Sequence, residues 1–83
     1  MFEFYMGEVK SKYLRVFQEN LARIRKQVGL SQGEVGSRIG MKQTQYSKLE
    51  TTDLDPRLST VHRVSEALDI PLHELFREIF RAF

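Results

Sequence analysis

Apolar residues recur with a helical period along most of this chain. The first predicted helix runs from about Ser11 to Val28, and Gly29 follows it where a left-handed cap is expected. Its apolar positions fall at the spacing of an amphipathic helix: Tyr13, Phe17, Leu21, Ile24 and Val28. Only Phe2, Phe4 and Met6 alternate with period two, so the pattern predicts helices and no sheet.

A second, short helix is predicted from its caps. Ser31 offers a side-chain oxygen to the first turn, and Glu34 completes a capping box. Val35 and Ile39 supply the buried side, and Gly40 ends the helix.

The remaining pattern predicts three more helices, which makes the domain all-α with five. The third, of about eight residues, begins after Met41 and has Tyr46 and Leu49 on its apolar side. Beyond the polar loop "TTDLDP", a fourth carries Leu58, Val61, Val64, Ala67 and Leu68. Pro71 fits the first turn of a fifth, whose apolar positions are Leu72, Leu75, Phe76, Ile79, Phe80 and Phe83.

The stretch "SQGEVGSRIG" leaves two interpretations open. Gly33, Gly36 and Gly40 have a spacing that suits a loop closing on a small phosphorylated ligand. The apolar residues between them nevertheless keep the helical period, which favours glycines that serve helix packing.

Composition and charge narrow the class of protein. With 83 residues and no cysteine, the chain has room for one domain, without disulfides or a thiolate metal site. Between Lys10 and Lys48 the chain has nine basic and two acidic residues, whereas from Leu49 onward it has four basic and seven acidic residues. This asymmetry favours a face for a polyanion, with a solvated helix surface as the alternative.

Several classes of protein are not expected. No Ser, His and Asp set or Cys and His set suggests an enzyme, and His62 and His73 lie on separate predicted helices, which argues against a zinc site. No apolar run approaches the ~20 residues of a membrane span, and "MFEFYMGEV" is not a secretory signal. We expect a cytoplasmic protein without a cofactor or small-molecule ligand.

The stretch "SQGEVGSRIGMKQTQYSKLE" resembles the helix-turn-helix of the Cro and phage-repressor (XRE-type) family. The resemblance is carried by Gln32, Val35, Gly36, Ile39, Gly40, Met41, Tyr46, Leu49 and Glu50. It extends over about Phe17 to Phe76 and implies a five-helix, lambda-repressor-like DNA-binding domain. We assign residues 1–12 to an N-terminal extension, 13–76 to this domain and 77–83 to an extension of helix 5 used for dimerisation.

The resemblance assigns roles to individual residues. Gly36 must be small because two helices cross there, Gly40 supplies a positive φ in the turn, and Gly33 has no evident reason to be glycine. An ion pair between Arg25 and Glu50 is expected to link helix 1 to the end of helix 3. Thr52 stands where the family usually has glycine.

The resemblance also implies how the protein meets DNA. Helix 3 lies in the major groove and reads bases through Gln43, Thr44 and Lys48, with Lys42 and Ser47 at the margin. Contacts to phosphate are expected from Gln32 and Ser31 at the start of helix 2, and from Arg57, Ser59 and Thr60 at the start of helix 4. Asp53 and Asp55 make contacts from the preceding loop doubtful.

The apolar C-terminal face is expected to form a homodimer interface that reads an inverted repeat. Its residues are Leu72, Leu75, Phe76, Ile79, Phe80 and Phe83, with ordinary core packing as the alternative. The aromatic N-terminal segment carries Glu3 and Glu8 and is expected to pack on protein. Besides a transcriptional regulator, an antitoxin, a restriction-modification operon controller and a protein-interaction adaptor remain candidates.

Overall fold

The computed structural model describes residues 12–52 and 55–78. Within them the chain forms four α-helices, α1 (Lys12–Val28), α2 (Gln32–Arg38), α3 (Gln43–Thr51) and α4 (Leu58–Ala67), followed by a 3-10 helix (Leu72–Phe76). The all-α prediction is therefore confirmed. No helix in these residues is both long and apolar enough to cross a membrane.

The core lies where α1, α3, α4 and the 3-10 helix meet, with α2 packed on α3 and α4. Its fully buried members come from every element: Leu14, Phe17, Leu21, Ile24, Val35, Ile39, Tyr46, Val61, Val64, Leu68 and Leu75. The predicted stripe of α1 was wrong at both ends, because Tyr13 and Val28 are exposed. The buried face of α1 instead begins at Leu14, and Gln18 and Arg25 lie on it.

Glycine serves helix packing and turning in this fold, and the phosphate-cradling interpretation is not needed to explain it. A Cβ on Gly36 would lie 2.9 Å from the Met41 carbonyl oxygen and 3.2 Å from the Tyr46 Cβ, so α2 and α3 approach too closely for a larger residue. Gly29 and Gly40 have φ of +85° and +75°, as their turns require. Asp69 ends α4 at φ 57°, a conformation that Asp tolerates better than most residues.

The prediction of a fifth α-helix is wrong for the described residues. Pro71 is extended and precedes the helix, only a 3-10 turn follows, and Arg77 is extended again, with φ −74° and ψ 122°. The cause is Asn20, whose buried amide donates to the carbonyl oxygens of Leu75 at 3.1 Å and Arg77 at 2.7 Å. These bonds hold the chain against α1 instead of letting it continue as a helix.

The residues predicted to form the dimer interface therefore fall into three groups. Leu75 has 0% exposure and belongs to the core of its own chain, so its assignment to an interface is corrected. Leu72 and Phe76 are partly exposed. Ile79, Phe80 and Phe83 lie outside the described residues, as do residues 1–11.

Two glycines of α2 provide a matched test of this packing. We expect Gly36→Ala to destabilise the protein by about 1–3 kcal/mol, because a backbone oxygen must move to admit the methyl group. We expect Gly33→Ala to stabilise it by up to about 1 kcal/mol, since the added Cβ would meet its nearest neighbours at 3.9 Å, an ordinary contact. Urea denaturation measures both, and equal effects of the two substitutions would contradict the packing argument.

Candidate nucleic-acid interface

The surface predicted to read DNA is the outer face of α3. Only Tyr46 of this helix is fully buried, and it anchors α3 in the core with 0% exposure. The turn before α3 is closed by the Met41 amide, which donates to the Gly36 carbonyl oxygen at 2.7 Å. The Gln45 side chain accepts the Lys42 amide at 3.0 Å and fixes the first turn. α3 is thus held from its buried side and at its start.

Gln43, Thr44 and Lys48 project from α3 into solvent. Their side chains form no hydrogen bond or ion pair within the described part of the chain, so their donors and acceptors stay available to a ligand. Ser47 differs, because its hydroxyl donates to the Thr44 carbonyl oxygen at 3.0 Å. On this face Ser47 therefore has its hydroxyl proton already engaged, unlike the side chains of Gln43, Thr44 and Lys48.

A buried ion pair fastens the far end of α3. The Arg25 guanidinium donates to both oxygens of Glu50, from Nε at 2.7 Å and from Nη2 at 3.2 Å, and the two side chains are only 10% and 5% exposed. Arg25 also donates to the Leu30 carbonyl oxygen at 3.0 Å, and the Gln32 amide donates to Glu50 at 3.0 Å. One carboxylate consequently joins the end of α1, the start of α2 and the end of α3.

The electrostatics of this cluster keep both partners charged. Burial by itself would raise the pKa of Glu50, but the hydrogen bonds from Arg25 and Gln32 outweigh it, so the pKa lies below its usual value. The hydrogen bond to Glu50 raises the pKa of Arg25. Burial, and then the Glu50 carboxylate, raises the pKa of Tyr46 far above its ordinary value, so this phenol stays neutral. Its buried hydroxyl makes no well-formed hydrogen bond with the described residues.

The two predicted phosphate sites differ in what their donors already bind. At α2 the Ser31 hydroxyl accepts the Glu34 amide, the Ser31 amide donates to the Glu34 carboxylate, and Gln32 is held by Glu50. Glu34 also places a negative charge in this first turn. The start of α2 therefore offers a phosphate fewer free donors than the sequence suggests.

The start of α4 is the more open of the two sites. Its N-cap residue Arg57 is exposed, no side chain caps the helix, and its first turn contains no acidic residue. Ser59 is exposed and Thr60 half-buried in this turn. Positive charge and uncapped amides at one place suit a phosphate oxygen.

The sequence analysis did not identify two residues that position α3, Gln18 and Gln45. Gln18 is buried on α1, and its amide donates to the Thr52 carbonyl oxygen at 2.7 Å. Thr52 itself is extended, with φ −91°, so the glycine usual in the family is not required here. Gln45 could have been found from its capping-box spacing to Lys42, whereas nothing local pairs Gln18 with Thr52.

Neither histidine lies on α3. His62 is 3.8 Å from Glu66 on α4, and His73 is 3.5 Å from Glu74 in the 3-10 helix.

Comparison with known proteins identifies the family. A family model described as Helix-turn-helix (HTH_3) matches residues 21–75, well over half of the chain. The chain belongs to this XRE-type helix-turn-helix family. Family and fold are those of DNA-binding transcriptional regulators.

The helix-turn-helix chain resembles proteins with several different roles. It matches the restriction-modification controller protein C.AhdI from Aeromonas hydrophila with a TM-score of 0.71 and 28% identity, over 76% of this chain and 96% of that one. An uncharacterized HTH-type transcriptional regulator, y4dJ, of Sinorhizobium fredii is 38% identical over 56 residues, which are 68% of this chain and 73% of that protein.

Antitoxin HigA1 of Mycobacterium tuberculosis is 44% identical over 52 residues, or 63% of this chain. The match spans only 35% of the antitoxin, so the similarity concerns one part of that protein.

The buried ion pair predicts a large effect of removing one partner. We expect Glu50→Ala to lower the free energy of unfolding by about 3 to 5 kcal/mol, because Arg25 stays buried without its counter-charge. Urea denaturation of purified protein measures the change. Glu66→Ala is the matched control, since Glu66 is exposed and its effect should be small. An unchanged urea midpoint for Glu50→Ala would contradict the assignment.

The same carboxylate makes stability depend on pH. Because the pKa of folded Glu50 lies below the ordinary 4.5, the folded state binds fewer protons than the unfolded state as pH falls through this range. Its stabilising contribution is full above the ordinary pKa and is lost as pH drops through the lowered one. We expect thermal melts in acid to show a shallower pH dependence for Glu50→Gln than for the wild type. An equal pH dependence of the melting temperature in the two proteins would contradict the lowered pKa of Glu50.

Proposed function

We propose that this protein is a transcriptional regulator that binds an inverted-repeat operator as a homodimer, with α3 in the major groove. The observation that carries the proposal is the set of free side chains on the outer face of α3, namely Gln43, Thr44 and Lys48. α3 is immobilised at its start by Gln45, along its buried face by Tyr46 and at its end by Glu50. A rigid helix with free polar groups is what base reading demands.

The three side chains supply different base preferences. Gln43 carries an amide that pairs with the N6 and N7 edge of adenine, and Lys48 donates to the acceptors of guanine. The Thr44 methyl group fits against the methyl group of thymine. Lys42 precedes the helix and Ser47 is already engaged, so both contribute at the margin.

Phosphate contacts fix the register of the helix on the duplex. Arg57, Ser59 and Thr60 support the stronger contact, because the start of α4 is uncapped and without acidic residues. Gln32 and Ser31 support a weaker one, since their polar groups already bind Glu50 and Glu34. A two-fold dimer would then present two α3 helices about 34 Å apart, one turn of DNA.

A second candidate function is that of an antitoxin, supported by the 44% identity to HigA1. The similarity to C.AhdI likewise supports a restriction-modification operon controller. Both roles retain the proposed DNA surface and differ in the partner or gene that they serve. A protein-interaction adaptor with the same fold would not bind DNA.

Selection of bound duplexes from a random pool tests the proposal. We expect a two-fold symmetric consensus, and affinity that falls steeply between low and moderate salt. Gln43→Ala and Lys48→Ala should each relax the consensus at their own position, by about 1–3 kcal/mol of discrimination. Arg63→Ala is the control for Lys48→Ala, because it removes an equal charge from α4, where the Arg63 side chain donates to the Ile39 carbonyl oxygen at the end of α2.

One outcome would exclude the proposed base-reading residues, and another would overturn the function. An unchanged consensus in both α3 variants would exclude these residues as readers. Absence of DNA binding at low salt, together with a stable complex with another protein, would favour the adaptor.

A further inference from the structure

Two glutamines in the first turn of α3 differ in what their carboxamides already bind. Gln43 and Gln45 are both exposed. The Gln43 side chain forms no hydrogen bond within the described residues, whereas the Oε1 atom of Gln45 accepts the Lys42 amide at 3.0 Å. The two side chains have the same chemistry, but they do not offer a ligand the same groups.

The bond to Lys42 fixes the orientation of the Gln45 carboxamide. A carboxamide carries an acceptor oxygen and an amino group with two N–H donors, and these lie on opposite sides of one planar carbon. Because Oε1 is directed at the Lys42 amide, the Nε2 amino group is directed away from it. Nε2 has no hydrogen-bond partner in the part of the chain that the structure describes. The group that Gln45 offers to a ligand is therefore a donor.

Reversing the carboxamide would not give Gln45 the properties of Gln43. The amino group would then face the Lys42 amide, so that a donor would meet a donor and the capping bond would be lost. The paired contact to adenine requires a carboxamide that donates and accepts at once. Gln43 can make this contact, while Gln45 makes it only by giving up the bond that starts α3.

The donor of Gln45 lies at the end of α3 that matters for base reading. In a helix-turn-helix the N-terminal residues of the second helix contact base edges. The capping bond draws the Gln45 side chain back toward Lys42, the residue that precedes the helix. Its amino group is thus held at the start of α3, on the same turn as Gln43 and Thr44.

We propose that Gln45 is a further DNA-contacting residue, and that it contacts the duplex as a donor only. Its partner is an acceptor atom, which the O6 and N7 atoms of guanine, the O4 atom of thymine and the phosphate oxygens all provide. The inference rests on the proposed function for the placement of α3 on DNA. It adds a residue that the proposed function uses only to hold the helix, and it gives that residue a defined polarity.

Two substitutions separate donation to DNA from capping. Gln45→Met removes the whole carboxamide from a side chain of similar length. Gln45→Glu keeps an oxygen for the Lys42 amide, as in a capping box, but has no N–H donor. Gln27→Met is the matched control on α1, because Gln27 is also exposed and its oxygen also accepts a hydrogen bond, from Arg23 at 3.3 Å.

The measurements are duplex selection from a random pool and the affinity for the duplex that the wild type selects. Circular dichroism melts establish that each variant is folded at the temperature of the binding assay. We expect Gln45→Met to weaken binding about three- to tenfold, the effect of one lost hydrogen bond, and Gln27→Met to bind like the wild type. We expect Gln45→Glu to weaken binding at least as much although its cap is retained, because a carboxylate repels an acceptor.

The selected sequences show which acceptor is used. If a base supplies it, the consensus of Gln45→Met relaxes at one position, and that of Gln45→Glu turns there to a base with an amino donor, such as cytosine. If a phosphate supplies it, the affinity of both variants falls equally for all sequences and the consensus stays as it is. Either result supports donation by Gln45.

Other results overturn it. Wild-type affinity and consensus in either folded Gln45 variant leave capping as the role of this residue, and an equal loss in Gln27→Met shows an effect that is not specific to α3. The proposed function fails in a different way. A wild-type protein that binds no duplex refutes the regulator and this inference with it, whereas a consensus that responds to Gln43→Ala but not to Gln45→Met refutes this inference alone.

Discussion

The buried carboxylate of Glu50 joins three helices, and the geometry of the helix-turn-helix depends on it. Arg25 reaches it from the end of α1, Gln32 from the start of α2, and Glu50 itself lies near the end of α3. A charge buried to this extent is tolerated only when it is paired and its remaining lone pairs accept hydrogen bonds. Because its partners come from different helices, the charge fixes where α3 lies relative to the rest of the domain.

A second constraint acts at the other end of α3. The close approach of α2 at Gly36 and the positive φ of Gly40 place the start of α3 against the carbonyl end of α2. Tyr46 then fills the core from the inner face of the helix. Since both ends and the inner face are held, the side chains left on the outer face can be polar and free without loss of order, and this combination supports a role in reading DNA.

The same hydrogen bonds that build the domain decide which polar groups remain available. Gln32 and Ser31 look like free phosphate ligands in the sequence, but the structure uses them to hold Glu50 and to cap α2. Arg57 has no such engagement in the helix that it starts. The start of α4 is therefore the stronger candidate for a phosphate contact, because its donors are not already engaged.

The sequence by itself determined the four α-helices and the turn, because these follow from local period and capping residues. The resemblance to the family predicted the ion pair of Arg25 and Glu50, and the tertiary structure showed that it is buried. The sequence did not determine the path after Phe76, where an apolar period predicted a helix. Only the tertiary structure brings the Asn20 amide to the carbonyl oxygens of Leu75 and Arg77, where its hydrogen bonds hold this part of the chain against α1. The hydrogen bonds from Gln32 to Glu50 and from Gln18 to Thr52 could not be predicted from the sequence either, since each joins residues at least 18 positions apart.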